Sequence, residues 1–178
     1  MDLQERTIES KEIYNGKVLR LRVDRVRLPD GNETSREIVE HRGAVAIVAV
    51  DEKNRVYFVR QYRKPLEKAL LEIPAGKLEE GEEPLECAKR ELAEEIGYTP
   101  GDIRRLTFVY TSPGYCNERV FIYLARDLQR YQLEKDEGEF LEVETYPLEE
   151  AVRMVLDGVI EDGKSITGIL LASRYLSR

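Results

Sequence analysis

The sequence has few of the residues on which metal-cysteine sites and disulfide frameworks depend. It contains one histidine, His41, and two cysteines, Cys87 and Cys116, with no CxxC spacing. Structural zinc sites need several cysteines or histidines, and a disulfide framework needs paired cysteines, so the composition argues against both. A histidine-rich metal site is excluded. The two thiols are expected to be reduced, as in a cytoplasmic protein.

Long apolar runs and basic clusters are also missing. The longest apolar stretch, residues 44–50, is far shorter than the ~20 residues of a membrane-spanning helix. The N-terminal MDLQERTIESK lacks the apolar run of a signal peptide. The formal net charge of -7 opposes general binding to nucleic-acid phosphates or acidic membranes. We therefore expect a cytoplasmic protein with neither nucleic acid nor membrane as a partner.

The pattern of apolar and charged residues indicates one domain with an N-terminal appendage. Alternation over residues 18–28 and 34–40, around the turn PDGN, predicts a β-hairpin. The continuous apolar run over residues 43–50 and the segment VYFVRQY over residues 56–62 predict two central strands. Further strands are expected near residues 103–110, 120–125 and 143–146, and helices near residues 83–96, 148–157 and 165–176. This order predicts an α/β fold with a mixed sheet between helices.

The helix predicted over residues 83–96 carries an unusual set of acids. Its buried stripe is expected to comprise Leu85, Ala88, Leu92 and Ile96. Glu91 and Glu95 lie beside this stripe as a like-charged i, i+4 pair, which is unfavourable unless a cation is present.

Two interpretations of these acids compete. On a solvated face, Arg90 would alternate with Glu86 and Glu94, but Glu91 and Glu95 would then stay unpaired. Hard divalent cations such as Mg²⁺ prefer carboxylate oxygens and are commonly shared with substrate phosphates. The paired glutamates therefore point towards phosphate chemistry.

Nine positions between Gly76 and Tyr98 form the pattern G-x5-E-x7-R-E-L-x-E-E-x-G-Y. This pattern resembles the complete Nudix box, and its length makes it far more specific than a short glycine motif. The resemblance implies an α/β/α sandwich and hydrolysis of a nucleoside diphosphate linked to another moiety. It also implies dependence on Mg²⁺, for which Mn²⁺ or another divalent ion can substitute.

The resemblance assigns roles to the residues of the box. It implies that Glu91 and Glu95 ligate the metal, with Glu94 a further ligand. The backbone carbonyl of Ala75 would join them, and Arg90 would orient the carboxylates. Glu82 would be a structural or outer partner.

Segments around the box, one of which runs into it, resemble the bacterial ADP-ribose pyrophosphatases. They are VRQYRKP, EIPAGKLEEGE, EHRGAV, a proline 16 residues after Gly97 (Pro113), and an acidic loop before the last strand. The resemblance implies hydrolysis of ADP-ribose to AMP and ribose 5-phosphate. Two alternatives stay open: another nucleotide sugar or a dinucleotide such as NADH as the substrate, or a non-catalytic domain that senses a nucleotide.

The resemblance also indicates substrate-binding residues. Arg63 matches the arginine that contacts the substrate diphosphate, and Arg42 is a second candidate, although either could form a surface ion pair instead. Pro113 is assigned to the substrate site, and Glu118 could assist there. Tyr14 is the candidate to stack on the adenine, or else a plain hairpin residue.

The general base is expected in the acidic loop, because the glutamates of the box are occupied by metal. Glu139 is the best match, followed by Glu142 and Glu137. Cys116 lies near Pro113 without a histidine base and is not expected to be a nucleophile. Cys87 is expected to pack within the helix.

The resemblance implies that the chain has two regions with different roles. Residues 1–42 form an N-terminal hairpin region for dimerisation and part of the substrate pocket. Residues 43–178 form the Nudix hydrolase domain. A homodimer is therefore expected, since two half-apolar strands that precede the core need a surface on which to bury one face.

Overall fold

The computed structural model describes residues 3–134, 138 and 140–177. The chain forms two compact units. The first comprises Met1–Gly43 and Tyr110–Arg119, and the second comprises Ala44–Val109 and Val120–Arg178.

The first unit contains a three-stranded antiparallel sheet in the order β1-β2-β3. Its strands are β1 (Arg6–Asn15), β2 (Arg20–Arg27) and β3 (Glu33–Glu40). The predicted hairpin is β2–β3, and its turn is closed by a hydrogen bond from Gly31 N to Leu28 O of 2.9 Å. Gly31 has a φ of 90°, which favours glycine.

Strand β1 is an addition that the sequence pattern did not predict. All of its residues are exposed, so no apolar face marks it. Register shifts between Thr7 and Glu9 and between Glu12 and Tyr14 also break the two-residue alternation by which a strand is recognised.

The second unit contains two sheets, in the orders β7-β4-β9-β8 and β10-β5-β6. Strand β4 pairs parallel with β9 and antiparallel with β7, so the first of these sheets is mixed, as predicted. The strands are β4 (Ala44–Ala49), β5 (Arg55–Arg63), β6 (Lys68–Glu72), β7 (Ala75–Lys77), β8 (Tyr98–Tyr110), β9 (Arg119–Arg130) and β10 (Leu141–Pro147).

All three predicted helices are present. They are α1 (Pro84–Glu95), α2 (Leu148–Leu156) and α3 (Gly163–Leu176). Helix α3 begins before the predicted residue 165 because Asp162 caps it, accepting hydrogen bonds from the backbone N–H groups of Lys164 and Ser165.

The central strand β4 is buried on both faces. Val45, Ile47 and Ala49 pack in one apolar cluster with residues of α1. Ala46 and Val48 pack in a second cluster with residues of α2 and α3. The helices therefore lie on opposite faces of the mixed sheet, which gives the expected α/β/α layers.

In the part of the chain that the structure describes, no helix is both long enough and apolar enough to cross a membrane.

Candidate active site

Helix α1 buries its acids more deeply than the sequence pattern predicted. Ala88, Leu92 and Ile96 are buried as expected, but Leu85 is 38% exposed. Cys87, Glu91 and Glu95 are buried as well. The buried face is therefore centred near Ala88 and Glu95, and Leu85 lies at its edge in the first turn.

Strand β7 packs directly against the two buried glutamates. The backbone N–H of Ala75 donates to Glu95 Oε2 at 3.0 Å. A Cβ atom at Gly76 would lie 1.8 Å from the carboxyl carbon of Glu91, so the Glu91 carboxylate occupies the space above this glycine. Only 7% of Glu91 and 2% of Glu95 are exposed.

One guanidinium, that of Arg90, holds three carboxylates together. Its Nε and Nη2 donate to the two oxygens of Glu82 at 2.9 and 3.0 Å. Its Nη1 donates to Glu91 at 2.8 Å and to Glu94 at 2.9 Å. The Arg90 hydrogen bonds lower the pKa of Glu82 to about 2, and Glu82 in turn contributes most to the raised pKa of Arg90.

These contacts differ from those of a solvated helix face, on which Arg90 would alternate with Glu86 and Glu94 and leave Glu91 unpaired. Arg90 binds Glu91 and Glu82 as well as Glu94, whereas Glu86 accepts from Lys89 at 2.9 Å. Glu82, which lies before the helix, anchors the guanidinium through two hydrogen bonds, and its role as an outer partner of the metal site stays a prediction.

The donor set suits a hard divalent cation, since it consists of carboxylate oxygens. In the structure, no group of three or more acidic, histidine or cysteine side chains among the described residues is arranged to hold a metal ion. Glu91 and Glu94 accept hydrogen bonds from Arg90, and Glu95 accepts one from the Ala75 amide. Glu91, Glu94, Glu95 and the Ala75 carbonyl therefore stay predictions as ligands.

Arg63, the predicted diphosphate contact, lies at the end of β5 in an ionic cluster. Its Nε and Nη2 donate to the two oxygens of Glu72 at 2.7 and 2.8 Å. Lys164 of α3 also donates to Glu72, which is only 2% exposed. The Glu72 hydrogen bonds raise the pKa of Arg63, and the Glu95 carboxylate adds to this effect. The negative charge of Glu95, a residue of the box, thus acts on Arg63.

Sequence reasoning missed Glu72 and Lys164. The available signal was a carboxylate inside the apolar segment LLEI of residues 70–73, since a charge at such a position needs an ionic partner. Burial raises the pKa of Glu72, but Arg63 and Lys164 outweigh this and hold it below its ordinary value.

Four other candidates lie in the first unit. Tyr14 is exposed in β1, Arg42 is exposed just after β3, and Pro113 is exposed in the segment that follows β8. Glu118 accepts from Thr111 Oγ1 at 2.8 Å, and its Oε1 lies 3.4 Å from His41 Nδ1. Their roles in substrate binding stay predictions.

The two cysteines differ in their surroundings. Cys87 is fully buried in α1, which confirms its packing role, and burial raises the pKa of its thiol. Cys116 is half-buried and lies close to the backbone N–H of Glu118.

The predicted general bases are placed only in part. Glu137 and Glu139 lie outside the described residues. Glu142 is exposed in β10, where it pairs in register with Arg60. All three stay candidates for the base.

Two family models cover most of the chain. The model of the NUDIX domain matches residues 40–167, and that of the nucleoside diphosphate sugar hydrolase N-terminal domain matches residues 5–39. The junction between them lies three residues before the boundary at 42/43 that was expected from the sequence.

Known proteins resemble the chain along nearly its whole length. The ADP-ribose pyrophosphatase of Bacillus subtilis (strain 168) is 46% identical over 169 residues, which covers 94% of this chain and 91% of that protein. The methanol dehydrogenase activator of Bacillus methanolicus is 42% identical over 168 residues, covering 93% and 91%. A crystal structure of an ADP compounds hydrolase has a TM-score of 0.88 at 23% identity and covers 99% of this chain and 97% of that one.

The structural likeness confirms the fold, and the match to the NUDIX model extends well beyond the box that the sequence displays. The box helix, the sheet on which it packs and the strand beside its glutamates all lie within the matched residues. The chain belongs to the Nudix family.

Proposed function

We propose that the protein hydrolyses the diphosphate of ADP-ribose to AMP and ribose 5-phosphate. The observation that carries this proposal is the buried pair Glu91 and Glu95, held against β7 inside a complete Nudix box. The 46% identity with a protein named ADP-ribose pyrophosphatase supports the choice of substrate.

The proposed cofactor is Mg²⁺, with Mn²⁺ or another divalent ion as a substitute. Glu91, Glu95, Glu94 and the carbonyl of Ala75 would hold it, because hard cations prefer oxygen donors. When bound, such a cation would neutralise charge on the diphosphate and polarise its phosphorus–oxygen bonds.

Side chains of the protein would position the metal ligands, the diphosphate and the attacking water. Arg90 fixes the carboxylates of Glu91 and Glu94 through one nitrogen. Arg63 keeps two of its N–H groups on Glu72 and has further donors with which to bind non-bridging oxygens of the diphosphate. Glu139, or else Glu142 or Glu137, would accept the proton of the attacking water.

The N-terminal region is proposed to serve both assembly and substrate binding. We assign residues 1–42 to a dimerisation unit that completes the substrate pocket of a homodimer. The support is the exposed apolar surface of the first unit, which includes Ile8, Ile13, Val18 and Leu19. Tyr14 and Arg42 belong to the same unit; Tyr14 would stack on the adenine, and Arg42 is a second candidate to contact the diphosphate.

A substrate panel tests the proposed function. The protein would be assayed with Mg²⁺ against ADP-ribose, GDP-mannose, NADH and NAD⁺, with products separated by anion-exchange chromatography. The proposal expects the highest kcat/KM for ADP-ribose, with AMP and ribose 5-phosphate in equal amounts. A higher kcat/KM for another compound would reassign the substrate, and no hydrolysis of any compound would favour a nucleotide-sensing domain.

A further inference from the structure

A buried ionic relay links the C-terminal helix α3 to Arg63. Lys164 donates to one oxygen of Glu72, and both oxygens of Glu72 accept from Arg63. Arg63 is half-buried, whereas Glu72 is almost fully enclosed. A carboxylate in such a place needs both cations, because an unpaired buried charge is strongly destabilising.

The start of α3 holds this relay in place through several contacts. Asp162 caps the helix, and its Oδ1 lies 2.9 Å from Lys164 Nζ. Ser165 is fully buried, and its Oγ accepts from the backbone N–H of Ile73 at 2.9 Å. Helix α3 therefore fixes the side chain of Glu72 and the backbone of the next residue together.

The segment fixed in this way continues directly into the strand beside the box. Ala75, whose N–H binds Glu95, follows Glu72 by three residues, so the two Cα atoms are at most ~11 Å apart. Arg63 and Lys164 also line a cavity of about 570 Å³. The relay thus ends with a guanidinium that lines this cavity and on which the Glu95 carboxylate acts electrostatically.

We propose that Lys164 is a positioning residue for catalysis: by pairing with Glu72, it fixes the orientation in which Arg63 receives the substrate diphosphate. The inference rests on the proposed hydrolysis of ADP-ribose. Lys164 itself touches no substrate and acts only through Glu72 and Arg63. A structural ion triad without this role would stabilise the fold but would not be coupled to Arg63 in catalysis.

A double-mutant cycle with ADP-ribose separates the two possibilities. Lys164→Met removes the charge while keeping a long side chain, and it should lower kcat/KM by ~10–100-fold, the scale of a small misplacement of a binding group. In the Arg63→Ala background the same change should cause no further loss. Lys164→Arg, which keeps the charge, should restore part of the activity.

The matched control is Lys53→Met. Lys53 is exposed in the turn between β4 and β5 and does not line this cavity, so its replacement should leave kcat/KM unchanged. The Arg63→Ala, Lys164→Met double variant leaves the buried Glu72 without either cation. If it or Lys164→Met does not fold, Glu72→Gln, which removes the buried charge, takes the place of Lys164→Met in the cycle with the same expectation.

Independent, multiplying losses in the Arg63→Ala, Lys164→Met double variant would overturn the inference, as would wild-type kcat/KM in Lys164→Met. In either case the wild-type protein would still hydrolyse ADP-ribose. A wild-type protein without that activity would instead refute the proposed function, so the two failures are distinguishable.

Discussion

At the scale of single residues, four neighbouring glutamates are paired with two different donors, the Arg90 guanidinium and the Ala75 amide. Glu91 and Glu94 accept from the same nitrogen of Arg90, while Glu82 binds the other side of the guanidinium. Glu95 is turned to the amide of Ala75 instead. The repulsion expected between Glu91 and Glu95 is thus reduced by giving each carboxylate a different partner, and a bound cation would reduce it further.

Gly76 is required because the Glu91 carboxylate lies over it. Gly76→Ala would bring a methyl group within 1.8 Å of that carboxylate, so Glu91 must move and activity should fall at least ~10²-fold. Turnover of ADP-ribose with Mg²⁺ measures this. Gly163→Ala, where nothing lies within 4 Å of the new Cβ, is the control. Equal activity in both variants would contradict the packing described for Glu91.

The stability of the protein should depend on Glu82 in acid. Its pKa falls from 4.5 to about 2 on folding, chiefly through Arg90. Between these values the unfolded chain binds more protons than the folded one, so the stabilisation is present above pH 4.5 and is lost as the pH falls towards 2. Urea unfolding across this range should show a smaller loss of stability in Glu82→Gln. Parallel profiles for the two proteins would show that Arg90 does not act in this way.

The residues of the box were recognisable from the sequence because they form one contiguous pattern. Their partners were only partly recognisable. Lys164 and Glu72 are 92 positions apart, and no local pattern connects a lysine in α3 with a carboxylate at the end of β6. The burial of Glu95 was underestimated because the helix is rotated towards Cys87 and away from Leu85.

At the scale of elements, the start of α3 supports the site through its cap. Asp162 accepts from the backbone N–H groups of Lys164 and Ser165. Asp162→Ala should destabilise the protein by ~0.5–2 kcal/mol. Asp162→Asn should cost less, because an asparagine also caps helices well. The midpoint of urea unfolding measures both, and equal losses would mean that the ion pair with Lys164, rather than the cap, is responsible.

The elements themselves followed from the sequence wherever their periodicity was strong. The apolar runs of β4 and β5 and the proline at the start of α1 placed these elements closely. Strand β1 was not predicted from the sequence because all of its residues are exposed and register shifts interrupt its pairing with β2. Its pairing with β2 depends on backbone hydrogen bonds, which leave little trace in the order of side chains.

At the scale of the whole molecule, the proposed homodimer is a prediction about the first unit. Light scattering should give a mass of twice the 20.6 kDa of one chain. Ile13→Asp introduces a charge at an exposed apolar residue of this unit and should shift the mass towards the monomer. Leu156→Asp, on an exposed residue of α2, is the control. A monomeric wild-type protein at micromolar concentration would rule out this assembly.

The most direct test of the account is the turnover of ADP-ribose by Glu95→Gln. The change keeps the size of the side chain but removes the charge at the most buried acid of the box, so the fold should survive while kcat falls by ~10²-fold or more. Glu86→Gln alters an exposed glutamate of the same helix and should keep full activity. Release of AMP would be followed at saturating Mg²⁺, with thermal unfolding as the check on folding. A folded Glu95→Gln protein with near wild-type turnover would contradict the assignment of this site.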